Sequence, residues 1–368
     1  MRILFAGGGT GGHLYPGLAI ARAVQQLDPD ARPFFIGARR GIERDVLPAS
    51  GFPHRLLDLH PLYRARPWEN WRTIVGFARA WREIGALARE ERPAVVVGTG
   101  GYAAAATCAW AAAHGVSVAL QEQNSFAGIT ARLIARVASE IYLGYAEAAR
   151  SLHPRRGAWM KETGNPIAPP PSPRPSRDRA REAWDVPANA RVLLITGGSQ
   201  GARVLNEVVA AWIERGVPDG LHVIWATGRG TFETFARYES SRVRVRAYLS
   251  PIAEAYAAAD VALTRAGALT LAELCAWGIP SILVPLPTAA ADHQTANARA
   301  LASSGAAIVV PQRELDIDRL DREVRALVGD PTRLDAMARA ATARGRPEAA
   351  EAIARRVLAL ARRTAPRA

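Results

Sequence analysis

Cysteine is scarce in this chain of 368 residues: there are two, Cys108 and Cys275. Far apart in sequence, they read as two buried free thiols in a reducing compartment, and alone they cannot make a zinc site. The seven histidines are scattered without ligand spacing. The N-terminus "MRILFAGGG" turns to glycine before an apolar signal-peptide core could form, so no secretory signal is expected. Charge is missing from Pro93 to Leu120. That length could cross a bilayer. It is rich in Ala and Gly, however, and broken by Gly98-Thr99-Gly100-Gly101 and His114-Gly115. It reads as strand, glycine loop, buried helix and strand.

What remains is ordinary for a soluble protein of about two domains: 49% hydrophobic and 22% charged residues. The 47 basic and 34 acidic residues leave +13, which favours an anionic partner. No helix-turn-helix, zinc finger or other nucleic-acid module accompanies that charge, so a nucleic-acid partner is not expected.

Strands alternate with helices in the first half: "RILFAGG", a helix from about Tyr15 to Leu27, "RPFFIGA", "AVVVGTGG" with an Ala-rich helix, "VSVALQEQN", a helix near 127–138, and "EIYLGY". This alternation predicts a parallel sheet covered by helices. Six prolines between Pro166 and Pro175 then read as an extended linker over 166–190. The pattern restarts with "RVLLITGGSQGARVLNEVV" and continues through "HVIWATG", "VRVRAYL", "VALTRAG" and "SILVPLP". The fold class expected is α/β, two Rossmann-like domains with parallel sheets facing across a cleft.

Each half opens on a glycine loop after its first strand. In "FAGGGTGGHLYPG", Gly7, Gly9 and Gly12 match the dinucleotide fingerprint. Such a site also needs an acid near the end of the second strand. There the chain has Ala38, Arg39 and Arg40. The arginines keep an NADP-dependent oxidoreductase open as an alternative. His13, just past the loop, has the ordinary pKa of a base for proton transfer near neutral pH. In the second half, Ala266-Gly267-Ala268 gives a diphosphate access to the amides opening a helix. Glu273 falls in the first turn of that helix, either favoured there by the dipole or accepting hydrogen bonds from a ribose. Asp292, His293, Gln294 and Asn297 then offer donors and acceptors suited to a sugar.

These segments resemble the MurG family of GT-B glycosyltransferases, family 28. The matches are "GGTGGHLYPGLAIA", "GTGGYAAA", "QEQNSFAGITARLIARVA", "TGNP", "GGSQGARVLN", "RAGALTLAEL" and "DHQTANA", in the family's order and over nearly the whole chain. The resemblance implies an inverting transfer of N-acetylglucosamine from UDP-N-acetylglucosamine. The acceptor is the C4 hydroxyl of the N-acetylmuramic acid in undecaprenyl-pyrophosphoryl-MurNAc-pentapeptide, so that lipid I becomes lipid II. Another UDP-sugar GT-B transferase is the nearest alternative. No cofactor and no metal are implied.

Residues 1–163 would form an acceptor- and membrane-facing domain, with helix 346–368 packing back on it. Residues 164–345 would bind the donor. Of the candidate catalytic residues, His13 would be the base and Glu122 the second choice. Donor binding would use Thr10, Gly11, Gly12, Asn124, Ser199, Gln200, Tyr248, Leu249, Ala268, Leu269, Thr270, Glu273, His293 and Gln294. Tyr248 would lie against the uracil and Glu273 would hold the ribose. Gly9 and Tyr102 would face the acceptor, together with Thr10, His13, Glu122 and Asn124. One departure stands out: the family often carries an arginine where Ala168 is found. Either Arg203 or a linker arginine such as Arg174 supplies that cation, or diphosphate binding is weaker.

A lipid-linked acceptor needs contact with a bilayer. In "WENWRTIVGFARAWREIGALARE", Trp71, Ile74, Phe77, Ala78 and Trp81 share one helical face beside arginines. The expectation is a peripheral enzyme at the cytoplasmic face of the bacterial cell membrane, on anionic lipid. Other cell-wall synthesis proteins are candidate partners. The same stripe could equally be core.

Overall fold

The computed structural model describes residues 1–59, 70–198 and 202–364, except for the side chains of 70–74. They fall into two compact units, Met1–Ala168 with Glu348–Ala368, and Pro169–Pro347.

The first unit contains β1 (Arg2–Gly7), α1 (Gly11–Leu27), β2 (Arg32–Ala38), α2 (Glu43–Val46), β3 (His54–Leu57), α3 (Asn70–Glu91) and β4 (Val95–Gly100). It continues with α4 (Gly101–Ala113), β5 (Ser117–Glu122), α5 (Ile129–Ala135), β6 (Glu140–Leu143) and β7 (Trp159–Glu162). Among the described residues its seven parallel strands are ordered β3-β2-β1-β4-β5-β6-β7. Every residue of β4 is buried, as expected for a strand covered by helices on both faces. That is why "VVVGTG" is apolar without alternation.

The second unit contains α6 (Arg177–Ala183), β8 (Arg191–Thr196), α7 (Arg203–Arg215), β9 (Leu221–Ala226), α8 (Phe232–Phe235), β10 (Val243–Arg246), α9 (Ile252–Ala258) and β11 (Val261–Thr264). Then come α10 (Ala268–Trp277), β12 (Ser281–Leu283), α11 (His293–Ser303), β13 (Ala307–Val309), α12 (Ile317–Val328) and α13 (Pro331–Arg344). Its parallel order is β10-β9-β8-β11-β12-β13. In both sheets the first strand of the unit stands where the winding reverses. Loops after that strand and after its later neighbour open at the carboxyl edge, where ligands of such sheets bind.

The chain returns to the first unit through α14 (Ala349–Thr364), whose Ile353, Ala354, Val357, Leu358 and Ala361 are buried in one cluster with Leu14, Leu18 and Ala21 of α1. The i, i+4, i+8 spacing puts these residues on one side. The buried Glu140 anchors the same helix. Its carboxylate accepts both forks of Arg356 at 2.8 Å and Arg363 at 2.6 Å.

Three features differ from the sequence reading. The boundary is at Ala168/Pro169 because Asn165 is hydrogen-bonded into the first unit, its Nδ2 donating to the Gln123 carbonyl at 2.9 Å. The stretch 166–190 is not all linker: α6 lies within it and is capped by Ser176. The run of closely spaced prolines ends at Pro175, and the segment from α6 to β8 is held by charge. Asp260 accepts from Arg181 at 2.8 Å, Arg191 at 3.1 Å and the Val192 amide at 2.7 Å, and also from Arg177. Third, α1 begins at Gly11, four residues before the expected start, with Thr10 as its extended N-cap. Pro16 reads as a helix start but lies inside the helix.

The Asp260 cluster generates a stability prediction. Arg181 is 3% exposed. Asp260→Ala leaves it without its counter-ion and should lower the unfolding free energy by about 3–5 kcal/mol in urea denaturation. Arg363→Ala removes a cation that is 63% exposed and should change it by less than about 1 kcal/mol. Equal effects of the two substitutions would contradict this account.

Candidate active site

In the first unit, β1 and β4 end side by side and their loops meet backbone to backbone. The Gly8 amide donates to the Gly100 carbonyl at 3.3 Å. Gly101 has φ +79°, and a Cβ there would stand 2.3 Å from the Gly8 carbonyl oxygen. Gly100 has φ +112°, and its Cβ would meet the His13 ring at 2.6 Å. Only glycine meets both demands.

His13 is thereby set in the first turn of α1. The Thr99 hydroxyl donates to its main-chain carbonyl at 2.7 Å. Its Nδ1 lies 3.1 Å from the Gly8 carbonyl and 3.4 Å from the Thr10 hydroxyl. A carbonyl oxygen can only accept, so Nδ1 carries the proton, and in the neutral ring the basic lone pair is on Nε2. Gly9, at φ +85°, faces the Tyr102 ring, 3.5 Å from where its Cβ would be. The amides of Gly11 and Gly12 open the helix and belong to the donors that no helical carbonyl satisfies.

Glu122, at the end of β5, is 4% exposed. Its Oε1 accepts from the Asn124 amide at 2.8 Å and from Asn124 Nδ2 at 3.1 Å. Burial pushes its carboxyl above the usual range, against those hydrogen bonds. Glu122 thus holds the turn that carries Asn124.

Glu43 was invisible to sequence reasoning because "GIERDV" has no motif. It is fully buried and accepts from the Ala38 amide at 3.0 Å. A Cβ on Gly8 would be 1.7 Å from its Oε1, and one on Gly41 1.9 Å from its Oε2. An acid does therefore follow β2, but it is sealed beneath the glycine loop and reaches no ligand. Thr99, Gln123 and Asn165 were also missed, although "GTGG", "QEQN" and "TGNP" contain them. Their amide and hydroxyl groups tie the ends of β4 and β5 together, Gln123 Nε2 donating to the Thr99 carbonyl at 2.8 Å.

On α3, Phe77 (40% exposed) and Ala78 of the expected stripe are exposed, and Val75, outside the stripe, is 39% exposed, while Ala80, Ile84, Leu87 and Ala88, also outside it, are buried in the core. Trp81 packs against that core, with its ring centroid 6.0 Å from that of His114 and 5.7 Å from that of Phe77. The side chains of Trp71 and Ile74 lie outside the described residues. Among the described residues no helix is long and apolar enough to cross a membrane.

In the second unit the loops after β8 and β11 are neighbours. Gly198 has φ +85° and its amide donates to the Thr196 hydroxyl at 3.3 Å. Ser199 and Gln200 lie outside the described residues. After β11, Gly267 is the extended N-cap of α10, so Ala268, Leu269 and Thr270 form its first turn. Glu273 is in the second turn, one turn later than expected, which removes the helix dipole as the reason for its position. Burial pushes its carboxyl above the usual range, and Tyr256 Oη donates to its Oε2 at 2.8 Å.

Helix α11 holds this loop from the other side. Gln294 Oε1 accepts from the Ala266 amide at 3.2 Å and the Leu286 amide at 3.0 Å. Asn297 Nδ2 donates to the Ala266 carbonyl at 3.2 Å. With its oxygen engaged, Gln294 presents an N–H donor. His293 Nδ1 is 2.6 Å from the Ala290 carbonyl, which makes it the protonated nitrogen. Tyr248 is 52% exposed with the Arg229 guanidinium 5.3 Å over its ring, whereas the Leu249 side chain is buried.

The two arginines considered for the Ala168 position are not equivalent. Arg174 donates to the Ala276 carbonyl at 3.0 Å and lies 5.2 Å over Trp277. It is thus committed to the C-terminal end of α10 and does not stand in for the missing cation. Arg203, at the first turn of α7, is exposed and pairs with Glu207 at 3.0 Å.

Comparison with known proteins accounts for this arrangement. The glycosyltransferase family 28 N-terminal domain matches residues 3–143 and the family's C-terminal domain matches residues 192–353. A UDP-N-acetylglucosamine–N-acetylmuramyl-(pentapeptide) pyrophosphoryl-undecaprenol N-acetylglucosamine transferase of Salinibacter ruber is 41% identical, over 98% of this chain and 97% of its own. One of the same name from Moorella thermoacetica is 40% identical, over 97% and 98%. The crystal structure of Acinetobacter baumannii MurG aligns with a TM-score of 0.78 at 26% identity, over 97% of this chain and 99% of that one. Spinosyn forosaminyltransferase SpnP, 16% identical with a TM-score of 0.70, shares the fold. The chain is a GT-B protein of two parallel-sheet α/β domains, and it belongs to glycosyltransferase family 28.

Proposed function

We propose that this chain transfers N-acetylglucosamine from UDP-N-acetylglucosamine to the C4 hydroxyl of the N-acetylmuramic acid of undecaprenyl-pyrophosphoryl-MurNAc-pentapeptide, with inversion. The relatives' names describe the donor, the acceptor and the N-acetylglucosamine transfer, and 41% identity over nearly the full length supports carrying these over. The observation that carries the mechanism is His13, whose Nδ1 is locked on the Gly8 carbonyl at 3.1 Å.

In this reading His13 Nε2 takes the proton from the attacking hydroxyl as the new glycosidic bond forms and the bond to UDP breaks. Glu122 is the weaker base because its Oε1 is engaged with Asn124. Gly9 and Tyr102 face the acceptor, Thr10, Gly11 and Gly12 continue the loop of Gly9, and Asn124 stands in the turn after β5. The leaving diphosphate gains negative charge. Amides at the start of α10, from Ala268 to Thr270, and of the turn with Ser199 and Gln200 stabilise it. Glu273 accepts from the ribose, Tyr248 stacks on the uracil beside Leu249, and His293 and Gln294 donate to the amino sugar.

The acceptor's lipid implies a membrane surface, and the reading places the enzyme peripherally at the cytoplasmic face. Exposed Phe77, with Trp71 and Ile74 from the sequence, would enter the interface. Trp81 supports the helix from the core side.

Three outcomes are expected. UDP release from UDP-N-acetylglucosamine should require a lipid I analogue, and release at the same rate without one would overturn the transfer reaction. His13→Ala should lower kcat by at least about 10²-fold with little change in donor binding, and more than Glu122→Gln does. A near-normal kcat would remove His13 as the base. Phe77→Ser should weaken co-sedimentation with anionic liposomes, and unchanged sedimentation of the folded variant would rule out this face.

A further inference from the structure

We propose that Tyr256 determines nucleotide specificity: its hydroxyl positions the Glu273 carboxylate so that the site distinguishes a ribose nucleotide from a 2′-deoxyribose one. The proposal rests on the reading of Glu273 as the ribose acceptor and adds the group that makes it selective.

Tyr256 is 3% exposed on α9, and Glu273 faces it from α10. Tyr256 Oη donates to Glu273 Oε2 at 2.8 Å. Among the described residues no other donor reaches this carboxylate. The Tyr256 ring packs against Trp277, with centroids 5.9 Å apart, and Trp277 is in turn covered by the Arg174 guanidinium at 5.2 Å. This stack closes one side of the phenol and limits its movement.

A half-buried carboxylate has two ways to lose its selectivity for hydroxyl donors. It can rotate about its last torsion, which is broad for Glu. It can also take up a proton and become a donor itself. Burial favours the second, pushing the Glu273 carboxyl above its ordinary range. The Tyr256 hydrogen bond opposes both, since it fixes Oε2 and favours the ionised form. The phenol is a dependable donor: burial and the facing carboxylate push it well above its ordinary pKa. Oε1 is then an oriented, charged acceptor. A ligand with a hydroxyl at that point satisfies it, and one without leaves it desolvated and unpaired, which is how polar sites reject a missing hydroxyl strongly.

The test is the ratio of dissociation constants for 2′-deoxy-UDP and UDP, measured by calorimetry on the full chain. The unmodified protein should show a ratio of about ten or more, a charged hydrogen bond being worth roughly that factor. Glu273→Ala should bring it close to one. Tyr256→Phe keeps the ring and removes only the oxygen, and should cut the ratio at least about threefold by weakening UDP while leaving 2′-deoxy-UDP nearly unchanged. Loss of ratio in Glu273→Ala with a full ratio in Tyr256→Phe overturns the proposal and leaves the ribose reading intact. Equal weakening of both ligands in Tyr256→Phe shows a merely structural tyrosine and also overturns it. A ratio that Glu273→Ala does not change overturns the ribose reading itself. If Tyr256→Phe does not fold, Glu273→Gln is no substitute for it. That substitution removes the charge of Glu273 whether or not Tyr256 orients it, so Tyr256→Met, which fills the space without a donor, is the second variant: its ratio should also fall at least about threefold, and a full ratio in it overturns the proposal.

Discussion

The close approach of two backbones at the carboxyl ends of β1 and β4 is the constraint on which the first unit's site depends. Gly8 and Gly101 touch main chain to main chain, and Gly100 lies flat against the His13 ring. No side chain fits at these points, so the loop is defined by what is excluded from it. The consequence is a histidine held at one nitrogen by a carbonyl rather than by a carboxylate. A carbonyl fixes the tautomer and orientation without adding a charge. The Glu43 carboxylate below the loop completes the arrangement, since it fills the space that the absent side chains of Gly8 and Gly41 leave open.

The second unit uses the same strand order for a different purpose. Its loop after β11 is held by side chains rather than by bare backbone contact. Gln294 and Asn297 of α11 bind the amide and carbonyl of Ala266. This keeps the start of α10 open to a ligand while fixing its direction. A helix start held in this way can stabilise a diphosphate as its charge grows, because its dipoles need no reorganisation.

Much of the fold was legible in the sequence, for a simple reason. Parallel strands buried on both faces are uninterrupted apolar runs, and the glycine loops between strand and helix punctuate them. Helix limits were less legible. Gly11, Gly12 and His13 are poor helix formers, yet they begin α1 because the β4 loop holds them there. The face of α3 could not be divided into Ala80 and Ile84 inside and Phe77 outside until the core was known. His13, Glu122 and Gln294 lie in motifs and could be named as candidates. Glu43, Thr99, Asn165 and Tyr256 could not be given a role, because each acts on a partner distant in the chain or in a local shape that no spacing rule describes.

By itself the sequence determined the alternation of strand and helix, its restart after the prolines, and the glycine loop at the head of each half. These come from local chemistry: apolar runs, ring constraint, and the absence of a Cβ. Only the tertiary structure decided which carboxylates are buried and what they hold. Glu140 meets Arg356 from 216 residues away, and Asp260 meets Arg181 from 79 residues away. Glu273 meets Tyr256 across two helices. A buried charge is stable only beside its partner, and the partner is chosen by packing rather than by sequence distance.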